Sequence, residues 1–381
     1  MTLSIKAKAA FRKNIPWLTG LVLGRYPAFV RGKNTGITTP VFIFHQVDEN
    51  FEHFLRYLSE NGYQTLNADE YCLHCADQTS RGDKKVVLTF DDGHISLWTH
   101  AYPLLRKYGL QAVSFICPGL VPEPLPPGSD AEHILCDWNH ISLMHHSGTI
   151  DFQLHGMFHN LVFTSHRISD FFHPAFRSHY LGKREQALIL RDGDSPSLTN
   201  LWPDQHAGPP DYLGMPIYPL APKYGTNRRY RPDPELIDRL VNLVAQHGGP
   251  SFFEQKGWHS IMNREFRRIS HNFPGKTISG SHYQEELADD LLTGKNIMEQ
   301  RLPGKKIRHF CFPWYKSTTE SLRTAASCGF TSGFLGPDIR TRKNQGESST
   351  LIRIQRLPAQ YLLRLPGKNR MSLLQVIAKT L

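Results

Sequence analysis

The chain has 381 residues, of which 40% are hydrophobic and 11% aromatic, and its formal net charge is +10. This composition excludes a disordered chain and permits either one large α/β domain with additions or two ordinary domains. Six scattered cysteines do not predict a disulfide framework in a chain of this size, so we expect reduced thiols. No apolar run approaches the roughly 18 residues that cross a bilayer, and we expect neither a transmembrane helix nor a signal peptide.

The positive charge is concentrated at the two ends of the chain. Seven basic residues and no acidic residue precede Asp48, and six basic residues and no acidic residue follow Glu347. At both ends the basic residues alternate with large apolar side chains, a pattern that suits peripheral contact with an anionic membrane surface. Solvated ends that pack on the domain are the alternative. Nucleic acid is a weaker candidate partner, since no base-reading motif accompanies the charge.

Strand and helix patterns alternate along most of the chain. Apolar and β-branched runs predict strands at residues 40–45, 84–90, 111–117, 149–154, 307–312, 331–335 and 351–357. Apolar residues at three-and-four spacing predict helices at residues 50–61, 94–108, 137–146, 283–301 and 317–328. We expect Asp137 to cap the third of these helices and a capping box from Ser317 to Glu320 to open the last. Seven strands separated by helices favour a parallel α/β barrel over an open sheet.

A long insertion interrupts this winding at residues 161–280. It is rich in Pro, Tyr, His and Arg and contains helical patterns at residues 234–247 and 251–268. Insertions that leave the active-site edge of a barrel are commonly lids or specificity elements. The chain is thus divided into a basic apolar segment at residues 1–37, a barrel domain at residues 38–360, and a basic C-terminal helix at residues 361–381.

Two adjacent aspartates, Asp91 and Asp92, directly follow the buried strand pattern of residues 84–90. An Asp-Gly pair is a strong turn signal, so a simple turn is one interpretation. In a parallel barrel, however, the carboxyl ends of the strands form the active site. The aspartates are therefore candidate site residues, provided that other strands supply partners.

His155 and His159 supply such partners after the strand pattern at residues 149–154. Histidines four residues apart would share one face of a helical turn and could bind one ion together with a carboxylate from another strand. An ion held in this way activates water, while an aspartate that is not a ligand can accept the proton. We interpret Asp92, His155 and His159 as metal ligands and Asp91 as the catalytic base.

The sequence resembles the polysaccharide deacetylase family, also known as NodB-homology or carbohydrate esterase family 4 enzymes. The resemblance rests on the TFDDG of residues 89–93, the H-x-x-x-H of residues 155–159 and the FCFPWY of residues 310–315. It implies a distorted (β/α) barrel of about seven strands and hydrolysis of an N-acetyl group on an amino sugar. It also implies that the backbone N–H of Trp314 stabilises the oxyanion and that Trp314 and Tyr315 line the sugar groove.

Three positions depart from the family pattern. Gly156 stands where the family usually has Ser or Thr, and Cys311 stands where it commonly has an arginine that pairs with the catalytic aspartate. Arg308, Arg353 and Arg356 are the candidates to replace that arginine. The family also takes its general acid from a histidine near the last strand, and no histidine follows His309. His45, at the end of the first strand pattern, is our candidate acid, and His282 is the alternative.

The sequence therefore predicts a metal-dependent amidohydrolase that acts on an N-acylated sugar of a glycan or glycan precursor in cell-envelope polysaccharide biosynthesis. One divalent ion is expected, with Zn²⁺ first and Ni²⁺, Co²⁺ or Fe²⁺ as alternatives. We expect a cytoplasmic protein with peripheral contact with the inner membrane surface. A non-catalytic glycan-binding relative and a deformylase or other amidase are the competing functions.

Overall fold

Eight parallel strands curve into a nearly closed barrel, which confirms the predicted α/β barrel. The computed structural model describes residues 26–33, 39–76, 83–125, 134–175, 213–336 and 351–380. The barrel strands are β1 Val41–Phe44, β3 Lys85–Asp91, β4 Ala112–Ile116, β5 Ile150–Leu154, β12 His309–Cys311, β13 Ser332–Leu335, β14 Ile352–Gln355 and β15 Leu357–Pro358. Their order in the sheet is β14-β13-β12-β5-β4-β3-β1-β15, and the short strand β2, Gln64–Thr65, pairs with β3.

Helices of the barrel domain and of the insertion accompany these strands. They are α1 Phe51–Glu60, α2 Ala68–Ala76, α3 Tyr102–Lys107, α4 Trp138–His146, α5 Pro234–Gln246, α6 Trp258–Ser270, α7 Ser281–Arg301, α8 Thr319–Ser327 and α9 Leu373–Thr380. Alternate strand residues such as Phe42 and Leu88 pack against the helices, while Val41 and Val87 belong to a second buried cluster inside the barrel. Burial on both faces explains why the strand sequences are continuous apolar runs.

The barrel has one seam, between β14 and β15. The sequence predicts a single strand at residues 351–357, but the chain forms two short strands there with Arg356 between them. β14 pairs with β13, and β15 pairs with β1, at opposite ends of the sheet. The predicted count of seven becomes eight for this reason, and Arg356 lies where the two ends of the sheet meet.

Some helix boundaries differ from the predicted ones. Asp137 caps α4 as predicted. The capping box of α8, however, is formed by Thr318 and Ser321, so the predicted box from Ser317 to Glu320 is wrong by one residue. The predicted helix at 94–108 begins with a π-helical turn, Leu97–Ala101, and the pattern at 251–268 divides into a 3₁₀ turn, Gly249–Glu254, and α6.

The described part of the insertion packs around small clusters of its own. Its strands are β6 Leu161–Phe163, β7 Asp170–Phe171, β8 Pro216–Ile217, β9 Leu220–Pro222, β10 Arg228–Arg231 and β11 Lys276–Ser279. Helices α5 and α6 bury one apolar cluster against Phe171, and a second cluster around Tyr218 packs against Trp314 of the barrel. The insertion therefore contacts the loop that follows β12.

The two ends of the described chain pack against each other. Phe29 and Val30 are buried, and Arg364 and Arg370 donate hydrogen bonds to backbone oxygens of residues 29–32. Residues 361–381 do not form one helix as predicted: a 3₁₀ turn, Ala359–Arg364, precedes α9. Within the described ranges, no helix combines the length and apolar character that crossing a bilayer requires.

Candidate active site

The predicted site residues lie at the carboxyl ends of the barrel strands. His45 follows β1, His155 follows β5, and Trp314 and Tyr315 follow β12. Asp91 is the last residue of β3, and Asp92 is the next residue of the chain. The fold thus brings side chains from four strands to one end of the barrel, as expected for an active site in this architecture.

The turn after β3 directs both aspartates to the same centre. Successive residues of a strand normally point to opposite faces. Asp92 has φ 70° and Gly93 has φ 71°, so the chain leaves the strand conformation immediately after Asp91. His155 Nε2 consequently lies 3.9 Å from Asp91 Oδ2 and 3.6 Å from Asp92 Oδ1. The turn that the Asp-Gly pair predicts therefore places both carboxylates beside His155.

Asp91 forms a buried ion pair with Arg356. Two parallel hydrogen bonds of 2.6 and 2.9 Å join the guanidinium to the carboxylate, and the side chains are 0% and 1% exposed. Burial alone would raise the pKa of Asp91, but the charge and the hydrogen bonds of Arg356 hold that pKa below its usual value. Of the three arginines considered from the sequence, Arg356 is the one that pairs with this aspartate.

Asp92 faces two histidines instead of an arginine. Its Oδ1 lies 3.6 Å from His155 Nε2 and 3.8 Å from His159 Nε2. Burial raises the pKa of Asp92 and lowers the pKa of both histidines to about 4. The neighbouring carboxylates therefore have different surroundings.

The backbone of the barrel orients the ring of His155. Its Nδ1 lies 2.8 Å from the carbonyl oxygen of Cys311. Because a carbonyl oxygen only accepts hydrogen bonds, Nδ1 carries the proton, and the unprotonated Nε2 lies on the side of Asp92 with its lone pair available to a cation. This is the arrangement that fixes the tautomer of a metal-binding histidine.

The segment that carries the two histidines, residues 155–160, is a loop, so the predicted helical turn is wrong. We call it the histidine loop. Gly156 has φ 80° and His159 has φ 56°, and both values are left-handed. These two positions break any helical repeat, and the imidazole centroids approach to 5.1 Å through the loop rather than across a helix face.

The donor set around Asp92 fits a divalent metal ion. Asp92 Oδ1 is buried and accepts no hydrogen bond from any residue that the structure describes. It lies with His155 and His159 in a group of buried ligand atoms that are all within 4.8 Å of one another. One carboxylate and two imidazoles suit zinc, whose tetrahedral ligands lie about 3.4 Å apart. A buried carboxylate oxygen without a hydrogen bond is costly unless a cation binds it.

His45 and Tyr315 meet on the other side of Asp91. The hydroxyl of Tyr315 lies 3.0 Å from His45 Nε2, and this nitrogen lies 4.0 Å from Asp91 Oδ2. The side chain of His45 is 42% exposed, in contrast to the buried histidines of the loop. Its imidazole is therefore accessible to solvent.

Trp314 and Tyr315 both adopt left-handed backbone conformations, with φ 58° at each residue. The indole Nε1–H of Trp314 donates to the carbonyl oxygen of His159 at 3.3 Å, and the two rings lie 5.0 Å apart. The backbone N–H of Trp314 donates no hydrogen bond to the part of the chain that the structure describes. That N–H is consequently free to bind an oxygen atom of a substrate.

The structure shows what surrounds Gly156 and Cys311, the two residues of the site that depart from the family pattern. A side chain at Gly156 would meet the Tyr224 ring at 3.3 Å, and the positive φ also favours glycine there. Cys311 Sγ lies 3.7 Å from Asp91 Oδ2, beside the carboxylate that Arg356 neutralises. Neither departure leaves a gap in the site.

Sequence analysis missed a buried group that supports the histidine loop. Asp290 of α7 accepts a hydrogen bond from the backbone N–H of Met157 at 3.0 Å and pairs with Lys223 of the insertion at 2.7 Å. Each of these residues has the appearance of an ordinary surface residue in the sequence. The only local signal is the position of Asp290 next to Leu291, on the apolar side of a long helix.

Comparison with known proteins identifies the central part of the chain. A family model described as polysaccharide deacetylase matches residues 78–177, which include Asp91, Asp92 and the histidine loop. "Putative polysaccharide deacetylase YxkH" of Bacillus subtilis (strain 168) is 34% identical over 86 residues, covering 20% of this chain and 31% of that protein. The resemblance to the family is thereby confirmed for this segment, and the family consists of hydrolases that act on amide bonds of sugars.

Solved structures of deacetylases align with most of the chain at low identity. A de-N-acetylase from Aggregatibacter actinomycetemcomitans is 15% identical, with 90% of this chain and 99% of that one covered and a TM-score of 0.47. IcaB from Ammonifex degensii is 16% identical, with coverages of 86% and 95% and a TM-score of 0.44.

We predict that the purified protein binds one divalent ion per chain through Asp92, His155 and His159. Asp92→Asn and His159→Gln should each weaken the binding by more than about 100-fold, since loss of an outer partner alone costs 10- to 100-fold. Elemental analysis after dialysis against a weak chelator measures the effect. His166→Gln, at an exposed position of the insertion, is the matched control and should retain the ion. A wild-type protein without metal would contradict the prediction.

Proposed function

We propose that this protein is a metal-dependent amidohydrolase that removes the acetyl group from an N-acetylated amino sugar of a glycan or glycan precursor, in cell-envelope polysaccharide biosynthesis. The observation that carries the proposal is that two adjacent carboxylates have different partners. Asp91 is bound by Arg356, and Asp92 faces two imidazole nitrogens. The family match over residues 78–177 supports the same chemistry.

Asp92, His155 and His159 would hold the metal ion, for which zinc is our first choice. When bound, such an ion lowers the pKa of water and polarises a carbonyl oxygen. Asp91 is not needed as a ligand, because Arg356 already occupies both of its oxygens. Its lowered pKa keeps it ionised, so it can accept the proton that the attacking water loses as the new C–O bond forms.

His45 supplies the proton that the leaving amine requires when the C–N bond breaks. Its Nε2 lies 4.0 Å from Asp91, and its exposure allows it to be reprotonated from solvent. The Tyr315 hydroxyl, 3.0 Å from the same nitrogen, holds the ring towards the site. The products are acetate and the free amine. Tyr315 thus has two roles in this proposal. Its hydroxyl orients His45, and its ring lines the sugar groove.

Trp314 contributes in two ways in this proposal. Its backbone N–H donates to the developing oxyanion, an interaction that strengthens as charge accumulates on the oxygen. Its ring, half-buried between His159 and the insertion, offers an apolar wall for the sugar.

We predict that Asp91→Asn and His45→Gln each reduce acetate release about 10²- to 10⁴-fold, because each removes one proton-transfer group. Both variants should retain the metal, since neither residue is a proposed ligand. Acetate release from N-acetylglucosamine oligomers, measured alongside elemental analysis, checks this result.

His53→Gln, on α1, is the matched control for loss of an imidazole. Metal bound in the wild type with no acetate released from any N-acetylated sugar would contradict the deacetylase proposal. That outcome would instead favour a glycan-binding protein or an amidase for another acyl group, which formate release from N-formyl sugars would distinguish.

We further predict that Arg356→Lys moves the acid limb of the kcat/KM profile to higher pH. Asp91 acts in its ionised form, and Arg356 lowers its pKa; a lysine cannot replace both hydrogen bonds, so the pKa rises and ionisation requires a higher pH. The pH dependence of acetate release measures the shift. Arg353→Lys, on the neighbouring exposed position of β14, is the control. An unshifted acid limb in Arg356→Lys would contradict the assignment of Asp91 as the base.

We also propose a cytoplasmic location with peripheral contact with the anionic inner membrane surface. The basic residues at both ends of the sequence support this placement, as does Leu374, whose side chain is 77% exposed on α9. All six cysteines are unpaired, which suits a reducing compartment.

We predict that the full chain floats with vesicles that contain anionic lipid and that removal of residues 1–25 reduces this binding. Residues 26–33 are left in place, because Phe29 and Val30 belong to the core. Vesicles of neutral lipid are the control, and raised salt should weaken the binding. Equal flotation of the full and the shortened chain would remove the N-terminal segment from the proposal.

A further inference from the structure

A buried carboxylate links the histidine loop to the insertion. We name this group the Asp290 cluster and define it by Met157, Lys223, Tyr224 and Asp290. The carboxylate of Asp290 accepts hydrogen bonds from Met157 N at 3.0 Å, from Lys223 Nζ at 2.7 Å and from the Tyr224 hydroxyl at 2.5 Å. Its three partners belong to the histidine loop and to the insertion, while Asp290 itself belongs to α7.

The charges of the Asp290 cluster are shielded from water. The side chains of Lys223 and Asp290 are 8% and 6% exposed, and Tyr224 is buried against Phe310 and Phe312. A buried ion pair is expensive to break, because removal of one partner leaves an uncompensated charge. The pair therefore holds Lys223 and Tyr224 firmly against α7.

The histidine loop depends on contacts of this kind. Left-handed backbone at His159 is unfavourable for a residue with a side chain, so the surrounding structure must maintain it. Asp290 binds the loop at Met157, and the backbone N–H of Lys223 donates to the carbonyl oxygen of Asn160 at 3.0 Å. The Asp290 cluster thus forms hydrogen bonds with the loop on both sides of His159.

The insertion is anchored at the same point. The Tyr283 hydroxyl donates to the carbonyl oxygen of Lys223 at 2.6 Å, and Thr318 N donates to that of Tyr224 at 3.1 Å. The Tyr224 ring fills the space beside Gly156, 3.3 Å from the position that a Cβ would take there. One short segment of the insertion therefore contacts α7, the residue before α8 and the histidine loop.

We infer that Asp290 is a positioning residue for the metal ligands and that the Asp290 cluster couples metal binding to the docking of the insertion. The inference rests on the proposed function, because it requires His155 and His159 to bind an ion. Coupling between two sites is reciprocal. Zinc binding should therefore tighten the segment around Lys223, and disruption of the Asp290 cluster should weaken zinc binding without removal of any ligand.

The zinc affinity of Asp290→Asn, measured by competition with a chromogenic chelator, tests whether Asp290 positions the metal ligands. We expect a loss of about 10- to 100-fold, the range found for partners that orient metal ligands. Asp289→Asn, on the exposed neighbouring position of α7, is the matched control and should bind as the wild type does. The melting temperature of the zinc-free proteins, measured in parallel, separates a general loss of stability from a loss of affinity.

Hydrogen exchange tests whether metal binding is coupled to the docking of the insertion. In the wild type, added zinc should slow exchange at residues 220–231 as well as in the histidine loop, and Asp290→Asn should abolish the slowing in the insertion. Tyr224→Phe removes one hydroxyl from the Asp290 cluster and keeps the ring, so it serves if Asp290→Asn does not fold. It should show a smaller affinity loss in the same direction.

The outcomes are distinguishable. A wild-type protein that binds no zinc would overturn both the proposed function and this inference. Zinc binding in the wild type, with unchanged affinity in Asp290→Asn and Tyr224→Phe, would overturn the inference alone and leave the proposed function standing. A lower melting temperature with unchanged affinity would have the same meaning, since the Asp290 cluster would then be a stabilising contact only.

Discussion

The ion pair between Asp91 and Arg356 is the interaction on which both the barrel and its site depend. Arg356 lies at the seam between the two ends of the sheet, and it binds Leu335 of β13 and Asp91 of β3 from there. One guanidinium thus joins strands on both sides of the seam. Loss of either partner of such a pair costs about 3–5 kcal/mol, because a charge is left buried. The same contact lowers the pKa of Asp91, so one ion pair both joins the strands and sets the charge of this carboxylate.

The site is assembled from parts of the chain that are distant in sequence. The segment with the family match, residues 78–177, provides the two aspartates and the histidine loop. The remaining groups lie outside it: His45 precedes it, and Lys223, Tyr224, Asp290, Tyr315 and Arg356 follow it. The matched segment alone would lack Arg356, which gives the two aspartates different surroundings, and His45, which lies beside Asp91.

Local patterns predicted the barrel well because its strands are continuous buried runs, and they located Asp91, Asp92, His155 and His159 because these residues lie at or just after the ends of such runs. They could not choose Arg356 over Arg308 and Arg353, since a separation of 265 positions between Arg356 and Asp91 leaves no local signal. The helical turn predicted for the histidines was wrong because spacing does not report a positive φ. A buried ion pair such as that of Asp290 looks like surface charge in any sequence.

The left-handed residues around Asp92 and the histidine loop limit which substitutions this protein can accept without a change in stability. Asp92, His159, Trp314 and Tyr315 are four of the five non-glycine residues with positive φ in the described chain. Each such residue costs about 1–2 kcal/mol relative to glycine at the same place. Selection for stability alone would therefore favour glycine at these four positions of the candidate site. Stable descendants of this fold are expected to lose catalysis first at these turns, while the barrel beneath them stays intact.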